Sequence, residues 1–275
     1  MTDSQKPTCA FVGLGVMGYP MAGHLQAAGY ATTVYNRTAA KAATWVAEHG
    51  GEAVSTPAQA AANAEVIMVC VGNDDDLRSV MFGPEGILSG APVGSVLVDH
   101  TTASAEVARE IAAAAAQQGV GFVDAPVSGG QAGAENGQLS VMCGGSEETF
   151  ASVETILEVY AKAVNLIGPV GAGQTTKMVN QICIAGLIQG LSEALDFGRR
   201  ADLDMDKVLA AISQGASGSW QMSNRSSTML ARDFDHGFAL DWMRKDLGIV
   251  FDEAERIGAS LPITAMVDQF YARLQ

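Results

Sequence analysis

Apolar and polar positions along this chain fall into two textures that meet near residue 168. Before that point, short apolar runs alternate with amphipathic stretches of helical period. Strand-like runs cover Ala31 to Tyr35, Glu65 to Val71, Ser95 to Asp99, Gly121 to Asp124, Gln138 to Cys143 and Ala163 to Ile167. The run Val66-Ile67-Met68-Val69-Cys70 is continuous rather than alternating, as expected of a parallel strand covered on both faces. Between these runs the pattern predicts helices at about Met17–Ala28, Ala39–His49, Thr56–Ala62, Ala105–Gln118 and Ser146–Tyr160. After Gly168-Pro169-Val170-Gly171 the alternation stops. One proline-free helical pattern extends from Gly173 to about Arg200, longer than an ordinary globular helix and suited to a spine between domains. Asp204–Ser213, Ser219–Ala231, Leu240–Ile257 and Pro262–Leu274 also read as helices. The expectation is an α/β domain over residues 1–168 and an all-helical domain over 169–275, joined by the long helix.

The stretch from Cys9 to Thr38 organises the first domain. Ala10 and Phe11 lead into Val12-Gly13-Leu14-Gly15-Val16-Met17-Gly18, then a helix, then a strand ending at Asn36-Arg37-Thr38. Strand, glycine turn, helix, strand is the opening unit of a dinucleotide-binding (Rossmann-type) fold. In that reading Gly13 makes the tight turn, Gly15 lets the backbone approach a pyrophosphate, and Gly18 permits close helix–strand packing. The pyrophosphate would meet unpaired N–H groups at the positive end of the helix dipole.

Composition narrows the function classes. The chain has 275 residues, 48% of them hydrophobic and 17% charged, which places it far from disordered sequences. Its net charge of −14 argues against nucleic acid as a main partner, because phosphates require a basic stripe. Cys9, Cys70, Cys143 and Cys183 lack metal-ligand spacing and read as reduced, mostly buried thiols of a cytoplasmic protein. The polar segment Met1–Lys6 has no apolar targeting core, and no uninterrupted apolar stretch reaches the roughly 18 residues of a membrane span. Asp74-Asp75-Asp76 invites a metal site, but after Asn73 it reads better as a capped helix start with its acids favoured by the dipole.

Ligands of open parallel sheets bind beyond the carboxyl ends of the strands. That rule collects Gly13–Gly18, Asn36–Thr38, Gly72–Asp74, Thr101-Thr102 and Ser128–Gly130. NAD-binding sites usually carry an acid at the end of the second strand; here Asn36 stands there with Arg37 beside it. A guanidinium grips a 2′-phosphate through paired hydrogen bonds, so NADP is favoured, with NAD as the other option. In the helical half Lys177 lies among small and apolar residues. Asn180 and Gln181, three and four positions later, share its helix face. Such a lysine either polarises a carbonyl and delivers a proton, or is simply a surface charge.

These segments resemble those of the beta-hydroxyacid (3-hydroxyisobutyrate) dehydrogenase family. The family includes the tartronate semialdehyde and glyoxylate/succinic semialdehyde reductases. The resemblance rests on Gly13 to Met21, on Asp124-Ala125-Pro126-Val127-Ser128-Gly129-Gly130, on Gly173 to Gln181, and on Phe238 followed by Lys245-Asp246-Leu247. It implies that Lys177 is the catalytic lysine and that Ser128, Gly129 and Gly130 hold a substrate carboxylate. It further implies that Thr102 lies near nicotinamide and substrate, and that Gln181, often Asn in the family, orients the substrate. Lys245 would lie against the cofactor, and Phe238 and Asp246 would border a closed cleft. The remaining cofactor contacts would come from Gly13, Leu14, Gly15, Val16, Met17, Gly18, Asn36, Arg37, Thr38, Val71 and Thr102. Asn180-Gln181 is closest to the tartronate semialdehyde branch, whereas Asn36-Arg37-Thr38 is closest to the NADP-using glyoxylate/succinic semialdehyde branch. Family members generally continue past Gln275 with a glycine-containing turn and another helix.

The expected activity is therefore NADP-preferring interconversion of a small 3-hydroxy acid and its semialdehyde. The partner is a carboxylate-bearing aldehyde or hydroxy acid, and the assembly a homodimer or homotetramer. An imine reductase shares the broad architecture and is the alternative enzyme; a non-enzymatic NADP-binding interaction protein is the alternative class. His100 and His236 titrate near neutrality but match no catalytic family position, and Trp220 and Trp242 are open to core, cleft or subunit contacts.

Overall fold

The structure is a computed structural model that describes residues 6–234 and 239–275. The chain divides into two compact units, residues 1–177 and 178–275.

Short apolar strands and capped helices alternate through the first unit. In chain order they are β1 (Cys9–Val12), α1 (Gly18–Ala27), β2 (Thr32–Tyr35), α2 (Ala39–His49), β3 (Glu52–Ala53), α3 (Pro57–Ala61) and β4 (Val66–Val69). There follow α4 (Asp74–Met81), α5 (Ile87–Gly90), β5 (Val96–Asp99), α6 (Ala105–Gln117), β6 (Gly121–Asp124), β7 (Val127–Ser128), α7 (Gly130–Glu135), β8 (Leu139–Gly144), α8 (Glu147–Leu157) and β9 (Ala161–Gly168). The sheet order is β3-β2-β1-β4-β5-β6-β8-β7, with β9 on β8. Pairing is parallel from β3 through β6; β8 runs antiparallel to β6 and β7, and parallel to β9. The order reverses between β1 and β4, so the crevice of a doubly wound sheet opens at their carboxyl ends.

Alternation along each strand feeds two cores. Phe11, Met68, Val98 and Val123 pack on one face of the sheet; Ala10, Val12, Ile67, Val69, Leu97 and Phe122 pack on the other. Local signals place the helices between strands. Thr56 Oγ1, Asn73 Oδ1, Ser104 Oγ and Ser146 Oγ accept the N–H groups of Gln59, Asp76, Val107 and Thr149, respectively. The acidic trio accordingly begins α4 as a capped first turn, and no cluster of metal-ligating side chains occurs among the described residues.

Four short elements escape the hydrophobic pattern. The strands β3 and β7 have two residues each, α5 has four and α7 has six, all below the length at which a period shows.

The long helix α9 (Ala172–Arg200) begins in the first unit and continues into the second. The second unit adds α10 (Met205–Ile212), α11 (Trp220–Ala231), α12 (Leu240–Ile257) and α13 (Pro262–Ala272). Ala185, Met243, Leu247 and Val267 form one apolar cluster there, and Leu191, Leu195 and Met222 another. Trp220 and Trp242 are about half exposed, which removes the core-packing option for both. The Arg225 guanidinium lies 5.2 Å from the centre of the Trp220 ring. No described helix is long and apolar enough to cross a membrane.

Candidate active site

The glycine turn leaves β1 through Gly13, whose φ of +98° belongs to the left-handed region. A Cβ there would stand 2.2 Å from the Cys70 carbonyl oxygen, and one at Gly18 would stand 2.0 Å from that of Gly13. Both glycines are therefore required by close backbone packing. Gly15 differs: a Cβ on it meets nothing within 4 Å, so space is open where a pyrophosphate would approach. No side chain caps α1; the Tyr19 and Met21 N–H groups donate to the Gly15 and Met17 carbonyls at 3.0 and 3.3 Å, and Pro20 has none to offer. These features fit a dinucleotide.

At the end of β2 the side chain of Asn36 is turned inward on the loop. Its Oδ1 accepts the Leu14 N–H at 3.0 Å and its Nδ2 donates to the Thr38 carbonyl at 3.1 Å. Arg37 projects into solvent with its side chain 88% exposed, and its guanidinium lies 3.5 Å from Asp76 at the start of α4. The Val71 N–H donates to Thr101 Oγ1 at 3.0 Å, tying the β4 end to the β5 end beside Thr102.

The segment after β6 carries the expected carboxylate holders. Ser128 ends β7, paired with Ser140 of β8, and Gly129 and Gly130 open α7 with positive φ values and no side-chain cap. Lys177 is nearly buried, and its Nζ donates to the Val127 carbonyl at 2.8 Å, one residue before Ser128. Thus Gly13–Gly18, Asn36–Thr38, Val71, Thr102 and Ser128–Gly130 follow the carboxyl ends of β1, β2, β4, β5 and β7. Lys177 is tied to the last of these segments.

Two further residues shape this region. Both belong to segments that carry the family resemblance, yet neither reads as functional from sequence. Asp124 is fully buried at the end of β6, where its Oδ1 accepts the Gly171 N–H at 2.7 Å and its Oδ2 accepts the Gln174 N–H at 2.9 Å. Burial pushes its carboxyl up, while these backbone donors hold it down. The Gln174 side chain, also fully buried, accepts the Ala103 N–H at 3.0 Å and donates to the Thr101 carbonyl at 2.7 Å. An acid at a strand's carboxyl end and a glutamine in a helix's first turn were the available signals.

His100 is buried between the Ala125 carbonyl, 2.7 Å from Nδ1, and the Tyr160 hydroxyl, 2.8 Å from Nε2. A carbonyl only accepts, so Nδ1 carries the proton and Nε2 accepts from Tyr160. Burial pushes the imidazole down to about 4, which suits a structural tie rather than acid–base work. Burial likewise raises the neighbouring Asp99 carboxyl to about 7, opposed by hydrogen bonds from Thr101 and reinforced by Asp124. Cys9 and Cys143 are buried with thiols pushed up to about 12; Cys70 is half-buried and Cys183 exposed, so the thiols are less uniformly buried than expected.

The second unit gathers Gln181, Lys245 and Asp246. Gln181 Nε2 donates to Asp246 Oδ2 at 2.6 Å, Asn180 Nδ2 donates to Gln181 Oε1 at 2.8 Å, and Lys245 Nζ lies 2.9 Å from Asp246 Oδ1. Gln181 and Asp246 are both buried. Phe238 and His236 lie outside the described residues.

Known proteins match nearly the whole of this chain. Residues 8–168 match the family described as the NAD binding domain of 6-phosphogluconate dehydrogenase. Residues 171–275 match the one described as NAD-binding of NADP-dependent 3-hydroxyisobutyrate dehydrogenase. An uncharacterized oxidoreductase of Shewanella frigidimarina is 58% identical over 97% of this chain and 91% of its own length. A probable mitochondrial 3-hydroxyisobutyrate dehydrogenase-like protein of Arabidopsis thaliana is 43% identical over 96% of this chain and 79% of its own. Among solved structures, Mycobacterium tuberculosis 3-hydroxyisobutyrate dehydrogenase with L-serine superposes with a TM-score of 0.86 at 29% identity. It covers 98% of this chain and 93% of that one. The glycine turn, the strand-end loops and the long helix after the sheet are thus parts of a dinucleotide-dependent oxidoreductase, and the chain belongs to the 3-hydroxyisobutyrate dehydrogenase family.

Proposed function

We propose that this enzyme is an NADP-preferring reductase that interconverts a small 3-hydroxy acid and its semialdehyde, with Lys177 as proton donor and acceptor. The observation that carries the reading is the Lys177–Val127 bond, which holds a nearly buried ammonium beside the Ser128-Gly129-Gly130 segment. A carboxylate held by that segment is an anion near the lysine, and it orients the aldehyde carbon at the substrate's other end. When bound, the nicotinamide supplies or takes the hydride. In reduction Lys177 Nζ gives a proton to the carbonyl oxygen as the hydride reaches carbon, leaving a hydroxyl group and a neutral amine that regains its proton from solvent. In oxidation the neutral amine takes the hydroxyl proton. The family pattern implies that Thr102 would lie near nicotinamide and substrate, that Gln181, Asp246 and Phe238 serve the substrate, and that Lys245 serves the cofactor.

Three further points support the details. Arg37 stands exposed at the β2 end where a 2′-phosphate is read, with no acid in the Asn36 position. The second matching family is described by an NADP-dependent member. L-serine, held by the M. tuberculosis relative, is itself a small 3-hydroxy carboxylate.

We place the domain boundary near residue 168 and the enzyme in the cytoplasm as a homodimer or homotetramer. Self-association is supported by α9, whose Val179, Cys183, Leu187 and Phe197 form an exposed apolar stripe at helical spacing.

The test is a matrix of small semialdehydes and glyoxylate against NADPH and NADH, with Lys177→Ala in parallel. Semialdehyde turnover with NADPH is expected. Lys177→Ala should bind NADPH normally, read by nucleotide fluorescence, yet lose about 10²-fold or more in kcat. Near-normal turnover by the variant refutes the lysine's role, and reduction of cyclic imines without semialdehyde turnover reassigns the substrate class.

A further inference from the structure

The first turn of α9 is capped from outside the helix. In a local capping box, the N-cap side chain accepts the N–H of the third helical residue, whose own side chain reaches back to the N-cap N–H. Here the N-cap is Gly171, which has no side chain, and the third residue is Gln174. Asp124, from the end of β6, accepts both N–H groups instead. Glycines make room for that carboxylate. A Cβ at Gly144 would stand 2.5 Å from Asp124 Oδ1, and one at Gly173 would stand 2.4 Å from the Met142 carbonyl and 2.8 Å from Asp124 Oδ2.

This substitution frees the Gln174 side chain, and its amide brackets Thr102. It donates to the carbonyl of the residue before and accepts the N–H of the residue after. One helical turn further on, Lys177 donates to Val127, so Asp124–Gln174 and Val127–Lys177 form two rungs at the same sequence offset of 50. A slip of α9 along the 124–127 segment would break both rungs.

We propose that Asp124 and Gln174 are positioning residues for the reduction: a capping box split between strand and helix that fixes Lys177 relative to Thr102. The Asp124 arm sets the register of the helix that carries Lys177. The Gln174 arm sets the loop that carries Thr102. Reacting atoms misplaced by about 1 Å lose rate out of proportion to the energy of the bonds that held them. This inference rests on the reading of Lys177 given above.

The test uses Gln174→Met, which keeps the volume but loses both amide bonds, and Asp124→Asn, which cannot accept two N–H groups with the same geometry. In cofactor-free protein, hydrogen exchange at the 101–103 amides of Gln174→Met should rise about tenfold while residues 9–27 stay unchanged. Per cofactor-binding site, kcat should fall about 10- to 100-fold, with the NADPH Kd within about threefold. Normalising to binding sites removes any loss from unfolded protein. Where Gln174→Met does not fold, Gln174→Glu, which retains the acceptor for Ala103, should show a smaller loss of the same kind. Exchange at 101–103 that stays at the wild-type rate, or kcat per site within about threefold of wild type, overturns the proposal. Should Lys177→Ala turn over normally, the lysine reading falls, while the exchange measurement still judges the bracket by itself.

Discussion

Asn36 Oδ1 accepts the Leu14 N–H at 3.0 Å, so the residue closing β2 holds the glycine turn that closes β1. Its amide nitrogen is also engaged, by the Thr38 carbonyl. The side chain at the position usually given to ribose recognition is therefore partly spent on the loop itself, and Arg37 beside it is left exposed.

Cofactor choice should follow from that division. Arg37→Ala is expected to lower kcat/KM for NADPH by about 10- to 100-fold, the worth of a charge-assisted phosphate contact, and to leave NADH nearly unchanged. Asn36→Asp keeps an acceptor for Leu14 and adds a carboxylate beside the ribose hydroxyls, shifting preference toward NADH. Asp76→Asn removes the carboxylate 3.5 Å from Arg37, with an expected gain for NADPH of no more than about threefold because the pair is exposed. Steady-state kinetics with both cofactors read all three, and an Arg37→Ala enzyme with unaltered NADPH kinetics refutes the assignment.

The contrast between Gly13 and Asn36 marks how far sequence reading reaches here. Gly13, Gly15 and Gly18 are legible because strand, turn and helix are contiguous and each glycine has its own steric reason. Asn36 reads as a cofactor contact from its place at the end of the second strand, while its bond to Leu14, 22 residues away, has no local pattern to announce it. Asp124 and Gln174 stood within segments that carry the family resemblance, yet their roles depend on pairings across 50 and 71 residues. Lys177 stood out by its apolar surroundings, but its Val127 contact needed the fold. The two-residue β7 and six-residue α7, which present Ser128 to Gly130, are too short to show a period.

Asp99 and His100, adjacent and buried, should oppose one another in pH dependence. Folding raises Asp99 from 3.8 to about 7, so its contribution to stability is full below the unfolded value and is lost as pH rises through about 7. Folding lowers His100 from 6.5 to about 4, so its contribution is full above the unfolded value and is lost as pH falls through about 4. Between about 4 and 6.5 the folded chain holds a proton on Asp99 and the unfolded chain holds one on His100, and the two slopes cancel. Asp99→Asn removes one side. Relative to wild type, the variant should gain about 1.4 kcal/mol per pH unit as pH rises across that window, measured by urea unfolding. Parallel stability curves for the two proteins would exclude the opposed titration.

Within the helical unit, Asp246 joins Lys245 to Gln181 while only 3% exposed. Asp246→Ala leaves the buried Gln181 amide without this acceptor and should cost about 3 kcal/mol by chemical unfolding. Asp246→Asn retains an acceptor for Gln181 and should recover part of that loss. If both variants match wild-type stability, Asp246 is not the support of Gln181.

The three glycines of the turn should fail in two different ways. At Gly13 a methyl group is placed against the Cys70 carbonyl at 2.2 Å with φ at +98°, and at Gly18 against the Gly13 carbonyl at 2.0 Å. Backbone atoms cannot step aside as side chains do, so Gly13→Ala and Gly18→Ala should each cost about 3 kcal/mol or more and lower the melting temperature before any ligand is added. Gly15 has no heavy atom within 4 Å of its Cβ position. Gly15→Ala should therefore melt within about 2 °C of wild type. Its methyl group instead enters the open space beside the glycine turn into which the proposed function puts the pyrophosphate, and NADPH binding should weaken by about tenfold or more. Melting curves with and without NADPH separate the two outcomes, since only Gly15→Ala is expected to keep its own stability while losing the increment that the nucleotide gives. A Gly15→Ala protein that is stabilised by NADPH as strongly as wild type would place the pyrophosphate elsewhere.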